Sequence, residues 1–172
     1  MLYTTFTVHD YFMDDLWTVT ETPVGYGMFQ DGLEHVIDQH PKDELSVLDV
    51  GSSTGEAFSR LLEDLERSLE SSLEGYSLEP REVVYRGRDQ GFHENPVQGI
   101  VGTEDYYIPF KESSFDIVVS NNLFPYIDDQ REALEGVKYV LNDGGYAAVH
   151  VGTDTGKTER WITEKSNLEG LT

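Results

Sequence analysis

The sequence predicts an α/β fold in which a mostly parallel sheet lies between two layers of helices. Short apolar segments, typical of buried strands, alternate along the chain with longer segments whose apolar residues recur at helical spacing. A turn rich in glycine, serine and threonine at residues 51–55 separates the first such strand from the first amphipathic helix of the core. The length of 172 residues suits one domain with a buried core. This alternation implies parallel strands joined by right-handed crossovers.

The first 70 residues are predicted to contain an aromatic cap, two helices and one strand. Residues 1–30 are rich in aromatic residues that alternate poorly, so we expect a loosely structured cap there. A helix is expected over residues 28–39, with Pro41 stopping it. The first strand is expected at residues 46–50, and the second helix at about 54–70.

The remainder of the chain is predicted to continue the alternation. Three more strands are expected, at residues 75–79, 97–101 and 115–120, and the last of these reads as fully buried. Asp128 is expected to cap a helix that runs to about residue 141. The turn at 142–145 then precedes a fifth strand at 146–151, and residues 156–171 are expected to form one more helix.

These elements divide one domain into three parts. Residues 1–42 form the N-terminal aromatic cap and helix, residues 43–152 the core, and residues 153–172 the C-terminal tail.

Asp116, at the start of the fourth strand, is expected to have a structural role by bonding to the backbone.

The composition is strongly acidic, with 33 Asp and Glu against 12 Lys and Arg and a net charge of −21. Small domains usually carry a net charge of about 2 to 8 in magnitude. Such a surface suits either a basic partner protein or molar salt, in which the Debye length is about 3 Å. The acids spread along the chain from Asp10 to Glu169, which favours a halophilic cell, or a virus of one, as the source.

Several classes of function are disfavoured by what the sequence lacks. No stripe of Lys and Arg could neutralise phosphates, so nucleic acid is not an expected partner. The chain has no cysteine, and its five histidines lack ligand spacing, so no metal site is expected. No apolar run approaches the ~20 residues that span a bilayer, and no signal pattern begins the chain. We therefore expect a cytoplasmic protein without membrane contact.

Ligands of parallel α/β sheets bind beyond the carboxyl ends of the strands. At that edge Gly51 and Gly55 permit a tight turn and close backbone approach, and the amides that begin the following helix can meet a carboxylate. Glu79 lies 24 residues after Gly55, where a carboxylate can accept both hydroxyls of a ribose. Glu104 or Asp105 follows the third strand, in a position to touch a base edge.

Five motifs in this order resemble the class I S-adenosylmethionine-dependent methyltransferases, in particular their small type 11 group. The resemblance covers about residues 45–152 and implies a three-layer, Rossmann-like sheet. A nicotinamide dehydrogenase is disfavoured because the turn lacks the G-x-G-x-x-G order. The motifs are Val-Leu-Asp-Val-Gly-Ser-Ser-Thr-Gly at 47–55, Glu79, Gly-Thr-Glu-Asp-Tyr-Tyr-Ile-Pro-Phe at 102–110, Ser-Phe-Asp-Ile-Val-Val-Ser-Asn at 114–121 and Val-Leu-Asn-Asp-Gly-Gly at 140–145.

The resemblance implies S-adenosylmethionine as the cofactor and a small molecule or an unidentified compound as the methyl acceptor. Tyr26 and Tyr126 are weak candidates for a general base on the acceptor side. The residues that it assigns to the cofactor are Asp49, Gly51 and Ser53 with Gly55 around the methionine moiety, Glu79 at the ribose, Glu104 and Asp105 at the adenine, and Asn121 or Asn122 beside the sulfonium.

The chain departs from the family pattern at several positions. Ser53 stands where the family usually has its middle glycine, Pro80 follows Glu79, and residues 124–126 replace a frequent histidine. About 20 residues follow the fifth strand, too few for the sixth and seventh strands with which the family completes its sheet. We therefore expect a methyltransferase fold that lacks the last strands.

Two functions remain open at this point. One is methyl transfer, in which proximity and orientation supply most of the catalysis. The other is a non-catalytic methyltransferase-like domain that serves as a structural or assembly component. An incomplete sheet leaves an edge that favours a partner, so a homo-oligomer would form through that edge or through the N-terminal aromatic residues.

Overall fold

Among the residues that the structure describes, seven strands form one sheet at the centre of the computed structural model, and helices cover both of its faces. The strands are β1 (Thr4–Phe6), β2 (Glu44–Val50), β3 (Ser72–Glu79), β4 (Asn95–Gln98), β5 (Phe115–Ser120), β6 (Leu141–Gly152) and β7 (Thr158–Glu164). The helices are α1 (Val24–Gln39), α2 (Glu56–Ser68) and α3 (Gln130–Val140), followed after β7 by a 3-10 helix at Lys165–Leu171. The structure describes residues 4–6, 24–39, 41–52, 54–69, 71–79, 89, 91, 95–98, 109–121, 123–124, 127, 129–152 and 158–171.

The strands lie in the order β1-β7-β6-β5-β2-β3-β4. Five neighbouring strands, β2 to β6, pair in parallel, while β7 pairs antiparallel with both β6 and β1. The predicted α/β, Rossmann-like sheet is therefore confirmed.

β2 and β5 are buried on both faces, as their continuous apolar sequences predict. Val47, Leu48 and Val50 of β2 are fully inaccessible to solvent, as are Val118 and Val119 of β5. Because successive side chains point to opposite faces, each strand contributes to two separate cores. The bounds predicted for β5, residues 115–120, are those observed.

One core lies between the sheet and the helices α1 and α2, where Phe29 and Leu33 of α1 and Phe58 and Leu65 of α2 are buried. The second core lies on the opposite face, where α3 supplies four buried residues. These are Ala133, Leu134, Val137 and Val140, and Leu168 of the 3-10 helix joins them. The turn that follows β2 thus sits at the edge of a sheet fixed from both sides.

The remaining predicted elements are found with shifted ends. α1 and β2 begin earlier than predicted, α2 is shorter at both ends, and β4 covers 95–98 rather than 97–101. The cap of α3 is Asp129 rather than Asp128, because the Asp129 carboxylate accepts a hydrogen bond of 2.9 Å from the Glu132 amide.

The helix predicted for the C-terminal tail is wrong, because residues 158–164 form β7. This strand pairs antiparallel with β6 from Gly152↔Thr158 to Tyr146↔Glu164. Threonine, tryptophan and isoleucine favour strands, and only the last seven residues of the prediction, Lys165–Leu171, are helical, as a 3-10 helix. The sheet therefore does not stop at its fifth parallel strand, and one antiparallel strand follows where we expected none.

The N-terminus also contributes to the sheet instead of forming only a cap. Thr4 pairs with Arg160 and Phe6 with Thr158, so β1 lies outside β7 as an edge strand. The rest of the predicted cap up to residue 23 lies outside the described residues, and α1 begins at Val24. The edge of β6, which we expected to be open, is thus covered by β7 and then by β1.

A polar cluster ties the amino ends of the central strands together. The Asp116 carboxylate accepts hydrogen bonds from Lys42 Nζ at 2.5 Å, Asn142 Nδ2 at 2.8 Å and the Ser46 amide at 3.1 Å. The structural role predicted for Asp116 is confirmed. Partial burial raises the pKa of Asp116, but the hydrogen bonds from Lys42, Asn142 and Ser46 outweigh it and hold the pKa below its ordinary value.

The glycine turn predicted at 142–145 takes the form of an irregularity inside β6. Phe115 pairs with Leu141, but the next pair is Ile117 with Tyr146, so the intervening residues leave the ladder. Gly144 has a φ of 75°, which a glycine adopts without strain.

The structure bears on a membrane-spanning helix and on a metal site only for the residues that it describes. Among them, no helix is long and apolar enough to cross a membrane. The same part of the chain contains no group of three or more His, Cys, Asp or Glu side chains placed to hold a metal ion.

The lowered pKa of Asp116 predicts a pH-dependent contribution to stability. The carboxyl pKa lies below 3.8 in the folded chain and near 3.8 when unfolded, so the stabilisation is complete above 3.8 and is lost as the pH falls through the folded pKa. We expect Asp116→Asn to lower the free energy of unfolding at pH 7 by about 2 kcal/mol, and the difference from wild type to shrink as the pH falls below 3.8. Urea unfolding from pH 2 to 7 measures it, with the exposed Asp38→Asn as the control. A difference that stays constant over this range would contradict the assignment.

The net charge of −21 predicts a fold that is more stable in salt. We expect the thermal midpoint to rise by roughly 5 °C or more between 0.1 M and 2 M KCl, because screening weakens the repulsion among the carboxylates. A variant in which the exposed Asp38, Glu112 and Glu135 are replaced by their amides should show a smaller rise. A midpoint that does not change with KCl would contradict this expectation.

Candidate functional site

The chain turns sharply where β2 ends at the carboxyl edge of the sheet. Gly51 has a φ of 83°, and its amide donates a hydrogen bond of 2.7 Å to the Leu78 carbonyl of β3. The Ser52 amide donates to the same carbonyl at 3.3 Å. The turn closes at Gly55, which has a φ of 78°, donates to the Ser52 carbonyl at 2.8 Å and precedes α2. The turn is therefore attached to β3 at its start and to α2 at its end.

Two buried carboxylates flank this turn. Asp49 of β2 is fully inaccessible and Glu79 at the end of β3 is 3% exposed. In the parallel pairing Asp49 lies opposite Ser77, and the two-residue period of a strand places Glu79 on the same face as both of them. Carboxylates accept hydrogen bonds, so this pair makes the edge a candidate site for a ligand with hydroxyl or cationic groups.

Besides the carboxylates, two other polar atoms are buried at this edge. Ser52 Oγ and Asn121 Oδ1 are buried and find no hydrogen-bond partner within the described part of the chain. Ser52 follows β2 and Asn121 follows β5, so both lie where neighbouring parallel strands end. A buried polar atom left unpaired costs about 1–3 kcal/mol. A bound ligand that hydrogen-bonds to them would recover this cost.

The segment after β5 closes one side of the turn. Phe124 is fully buried and its carbonyl accepts a hydrogen bond from the Ile127 amide at 3.1 Å. This anchor holds Leu123 against the turn, where a Cβ added to Gly51 would lie 2.9 Å from Leu123 Cδ2. Phe124 is therefore part of the core on the face of the sheet that α3 covers.

The structure brings several of the predicted site residues to one edge. Asp49, Gly51, Gly55, Glu79 and Asn121 all lie at or just beyond the carboxyl ends of β2, β3 and β5. Tyr26 lies in α1. The others, Ser53, Glu104, Asp105, Asn122 and Tyr126, lie outside the described residues, so their roles stay predictions.

Sequence reasoning missed Ser52 and Leu123. Ser52 is one of two adjacent serines, and the motif drew attention to Ser53, which occupies the glycine position of the family. Leu123 carries no chemistry of its own, and its contact with Gly51 depends on how the segment after β5 folds back. No pattern in the sequence predicts that the Ser52 hydroxyl is buried at this edge or that Leu123 contacts Gly51.

The polar groups at this edge of the sheet fit the cofactor implied by the sequence. Carboxylates suit ribose hydroxyls and a positively charged ligand, and the glycines let a ligand approach the backbone closely. The unpaired Ser52 Oγ and Asn121 Oδ1 add a hydroxyl and an amide oxygen at the same edge. S-adenosylmethionine carries each of the groups that these residues would bind.

A family model described as a methyltransferase domain matches residues 48–149 of the chain. Among curated proteins, the mitochondrial arginine-hydroxylase NDUFAF5 of Homo sapiens is 36% identical over 63 residues, which are 36% of this chain and 18% of the human protein. The Mus musculus protein of the same name is 38% identical over 61 residues, or 35% of this chain and 18% of that protein. The chain thus matches under a fifth of the length of these relatives.

Solved structures share the fold over most of this chain. A SAM dependent methyltransferase from Aquifex aeolicus superposes with a TM-score of 0.55 at 18% identity, over 83% of this chain and 74% of that one. The DszA carbon methyltransferase superposes with a TM-score of 0.61 at 18% identity, over 84% of this chain and 40% of that one. At this identity the likeness concerns the fold.

The contact between Gly51 and Leu123 can be tested by substitution. We expect Gly51→Ala to lower the free energy of unfolding by roughly 1 kcal/mol for the positive φ and by about 1–3 kcal/mol more for the crowding against Leu123. Gly144→Ala is the matched control, since Gly144 has a φ of 75° and nothing lies within 4 Å of its added Cβ. Urea unfolding measures both variants, and equal losses at the two positions would contradict the contact.

Proposed function

We propose that this chain, which belongs to the methyltransferase-domain family, is an S-adenosylmethionine-dependent methyltransferase. The family match spans residues 48–149 and confirms the resemblance seen in the sequence together with its cofactor, S-adenosylmethionine. Methyl transfer by this chain remains a proposal, because the chain matches only 18% of the length of its curated relatives.

The observation that carries the proposal is the carboxyl edge of β2, β3 and β5. Two buried carboxylates, a glycine turn with positive φ and two unpaired polar atoms converge there within the matched region. A fold kept only as a scaffold gains nothing from leaving the buried Ser52 Oγ and Asn121 Oδ1 unpaired at one edge.

Each group has a proposed task toward the cofactor. Glu79 would accept hydrogen bonds from the ribose hydroxyls, and Asp49, with the turn from Gly51 to Gly55, would hold the methionine moiety. Asn121 would lie beside the sulfonium. When bound, the cofactor would supply an electrophilic methyl group. The chain would orient the acceptor for in-line attack, and Tyr26 or Tyr126 is the candidate to receive the proton that the acceptor loses.

We propose that the methyl acceptor is cationic, with an arginine side chain as the first candidate. The curated relatives are named arginine-hydroxylases, which describes an enzyme acting on arginine. The net charge of −21 supports the same choice, since a strongly negative protein attracts cations and repels anions. A small cationic molecule would satisfy the same field, in line with the small-molecule acceptor expected from the sequence.

The relatives are named hydroxylases, so the proposal must be separated from hydroxylation. Incubation of an arginine-containing peptide with S-adenosylmethionine should yield a methylated peptide and an equal amount of S-adenosylhomocysteine. Mass spectrometry of the peptide distinguishes an added methyl group from an added oxygen. A hydroxylated product would overturn methyl transfer as the reaction while leaving the cofactor site in place.

The non-catalytic alternative is tested first by cofactor binding. Isothermal titration of the intact chain with S-adenosylhomocysteine in 2 M KCl should show one site per chain. Absence of binding by a folded chain would contradict the proposal and favour a structural or assembly role. Light scattering of the same sample then determines whether the chain forms the predicted homo-oligomer.

Glu79 provides the most specific test of the cofactor site. We expect Glu79→Gln to weaken S-adenosylhomocysteine binding roughly tenfold or more, because hydrogen bonds to a charged group contribute about 1.5–3 kcal/mol. Glu74→Gln is the matched control on the same strand, where Glu74 is exposed and accepts a hydrogen bond from the Tyr76 hydroxyl at 2.8 Å. Equal affinities for wild type and Glu79→Gln would remove Glu79 from the site.

The choice of a cationic acceptor predicts a salt effect on the rate. At low salt, we expect an arginine peptide to be methylated faster than a matched peptide with an acidic flank, because the field of the protein attracts cations. The advantage should shrink as KCl shortens the Debye length from about 10 Å at 0.1 M to 3 Å at 1 M. Initial rates of S-adenosylhomocysteine formation measure it, and equal rates at low salt would contradict it.

A further inference from the structure

Two serine hydroxyls connect β2 to β5, one at each end of the strand pair. At the amino end, Ser46 Oγ donates to the Ser114 carbonyl at 3.1 Å. At the carboxyl end, Ser120 Oγ donates to the Val50 carbonyl at 2.9 Å, and both residues are fully buried. β2 and β5 pair from Val47↔Ile117 to Asp49↔Val119. Ser120 therefore joins the two strands one residue beyond their last backbone pair.

The Ser120 hydrogen bond acts on the peptide group that begins the cofactor turn. The carbonyl oxygen of the Val50–Gly51 peptide accepts from Ser120 Oγ on β5, while the amide of the same peptide donates to the Leu78 carbonyl on β3 at 2.7 Å. Since a peptide group is planar, these two bonds fix its orientation from both sides. Gly51, with its φ of 83°, turns directly from this fixed plane.

We infer that Ser120 is a positioning residue for the cofactor turn, acting through the Val50–Gly51 peptide and not by touching the cofactor. Removal of its hydroxyl leaves the Val50 carbonyl buried without this donor and releases one side of the peptide plane. The turn then samples orientations in which the Gly51 and Ser52 amides leave the Leu78 carbonyl. This role rests on the proposed cofactor site, whose binding depends on the geometry of that turn.

Ser46 offers the matched control for this role. Its hydroxyl likewise donates to a backbone carbonyl, that of Ser114 directly before β5, and also lies within 3.2 Å of Asp116 Oδ2. It lies at the amino end of the sheet, far along β2 from the turn. Ser46→Ala therefore removes at least as much hydrogen bonding as Ser120→Ala while leaving the turn in place.

The first experiment needs no cofactor and measures amide hydrogen exchange at Gly51 and Ser52. Both amides are bonded to the Leu78 carbonyl, so their protection reports how firmly the turn is held. We expect Ser120→Ala to speed their exchange about fivefold or more relative to amides in the middle of β2, and Ser46→Ala to leave this ratio unchanged. Unchanged exchange in Ser120→Ala would overturn the inference even if the cofactor binds.

The second experiment measures S-adenosylhomocysteine affinity by calorimetry in 2 M KCl. We expect about fivefold weaker binding by Ser120→Ala and wild-type binding by Ser46→Ala. Ser120→Cys keeps the side-chain volume but lacks a strong donor, so it should resemble Ser120→Ala. Wild-type behaviour of Ser120→Cys would assign the effect to packing and overturn the hydrogen-bond role. If wild type itself fails to bind, the proposed function fails, and the exchange experiment still decides whether Ser120 positions the turn.

Discussion

The parallel pairing of β2 with β5 on one side and β3 on the other is the interaction on which the rest of the structure depends. β2 is buried on both faces, so its backbone hydrogen bonds must be satisfied within the sheet until the strand ends. At Gly51 the chain leaves the sheet, and the Leu78 carbonyl accepts a hydrogen bond from the Gly51 amide. The site arises because three neighbouring strands end at this edge and each leaves polar side chains there.

The acidic surface and the buried acids are separate features of the chain. All 33 acidic residues enter the net charge of −21, but Asp49 and Glu79 are withdrawn from solvent at one edge of the sheet. In our proposal, the surface charge governs how the fold responds to salt and which acceptors approach, and the buried pair contributes to binding of the cofactor. Asp116, at the opposite end of the sheet, is a third kind of acid, because its hydrogen bonds serve the fold alone.

The sequence was most informative where a local pattern decides the structure. The apolar run of β5 and the turn from Gly51 to Gly55 were predicted because burial on both faces and a sharp turn each demand particular residue types nearby in the chain. The tail was mispredicted because Thr158–Glu164 becomes a strand only beside β6, a partner that the local sequence does not reveal. The sequence assigns no role to Ser120, because its bond to Val50 joins residues 70 positions apart.

The central claim is that the carboxyl edge of β2, β3 and β5 binds S-adenosylmethionine, and an NMR titration of the isotope-labelled chain with S-adenosylhomocysteine tests it most directly. The account predicts that the backbone amides of Gly51 and Gly55 and the side-chain amide of Asn121 shift together with one dissociation constant. The amides around Asp116, at the other end of the same strands, should stay unchanged. Shifts confined to the Asp116 end, or no shifts from a folded chain at millimolar ligand, would contradict the account.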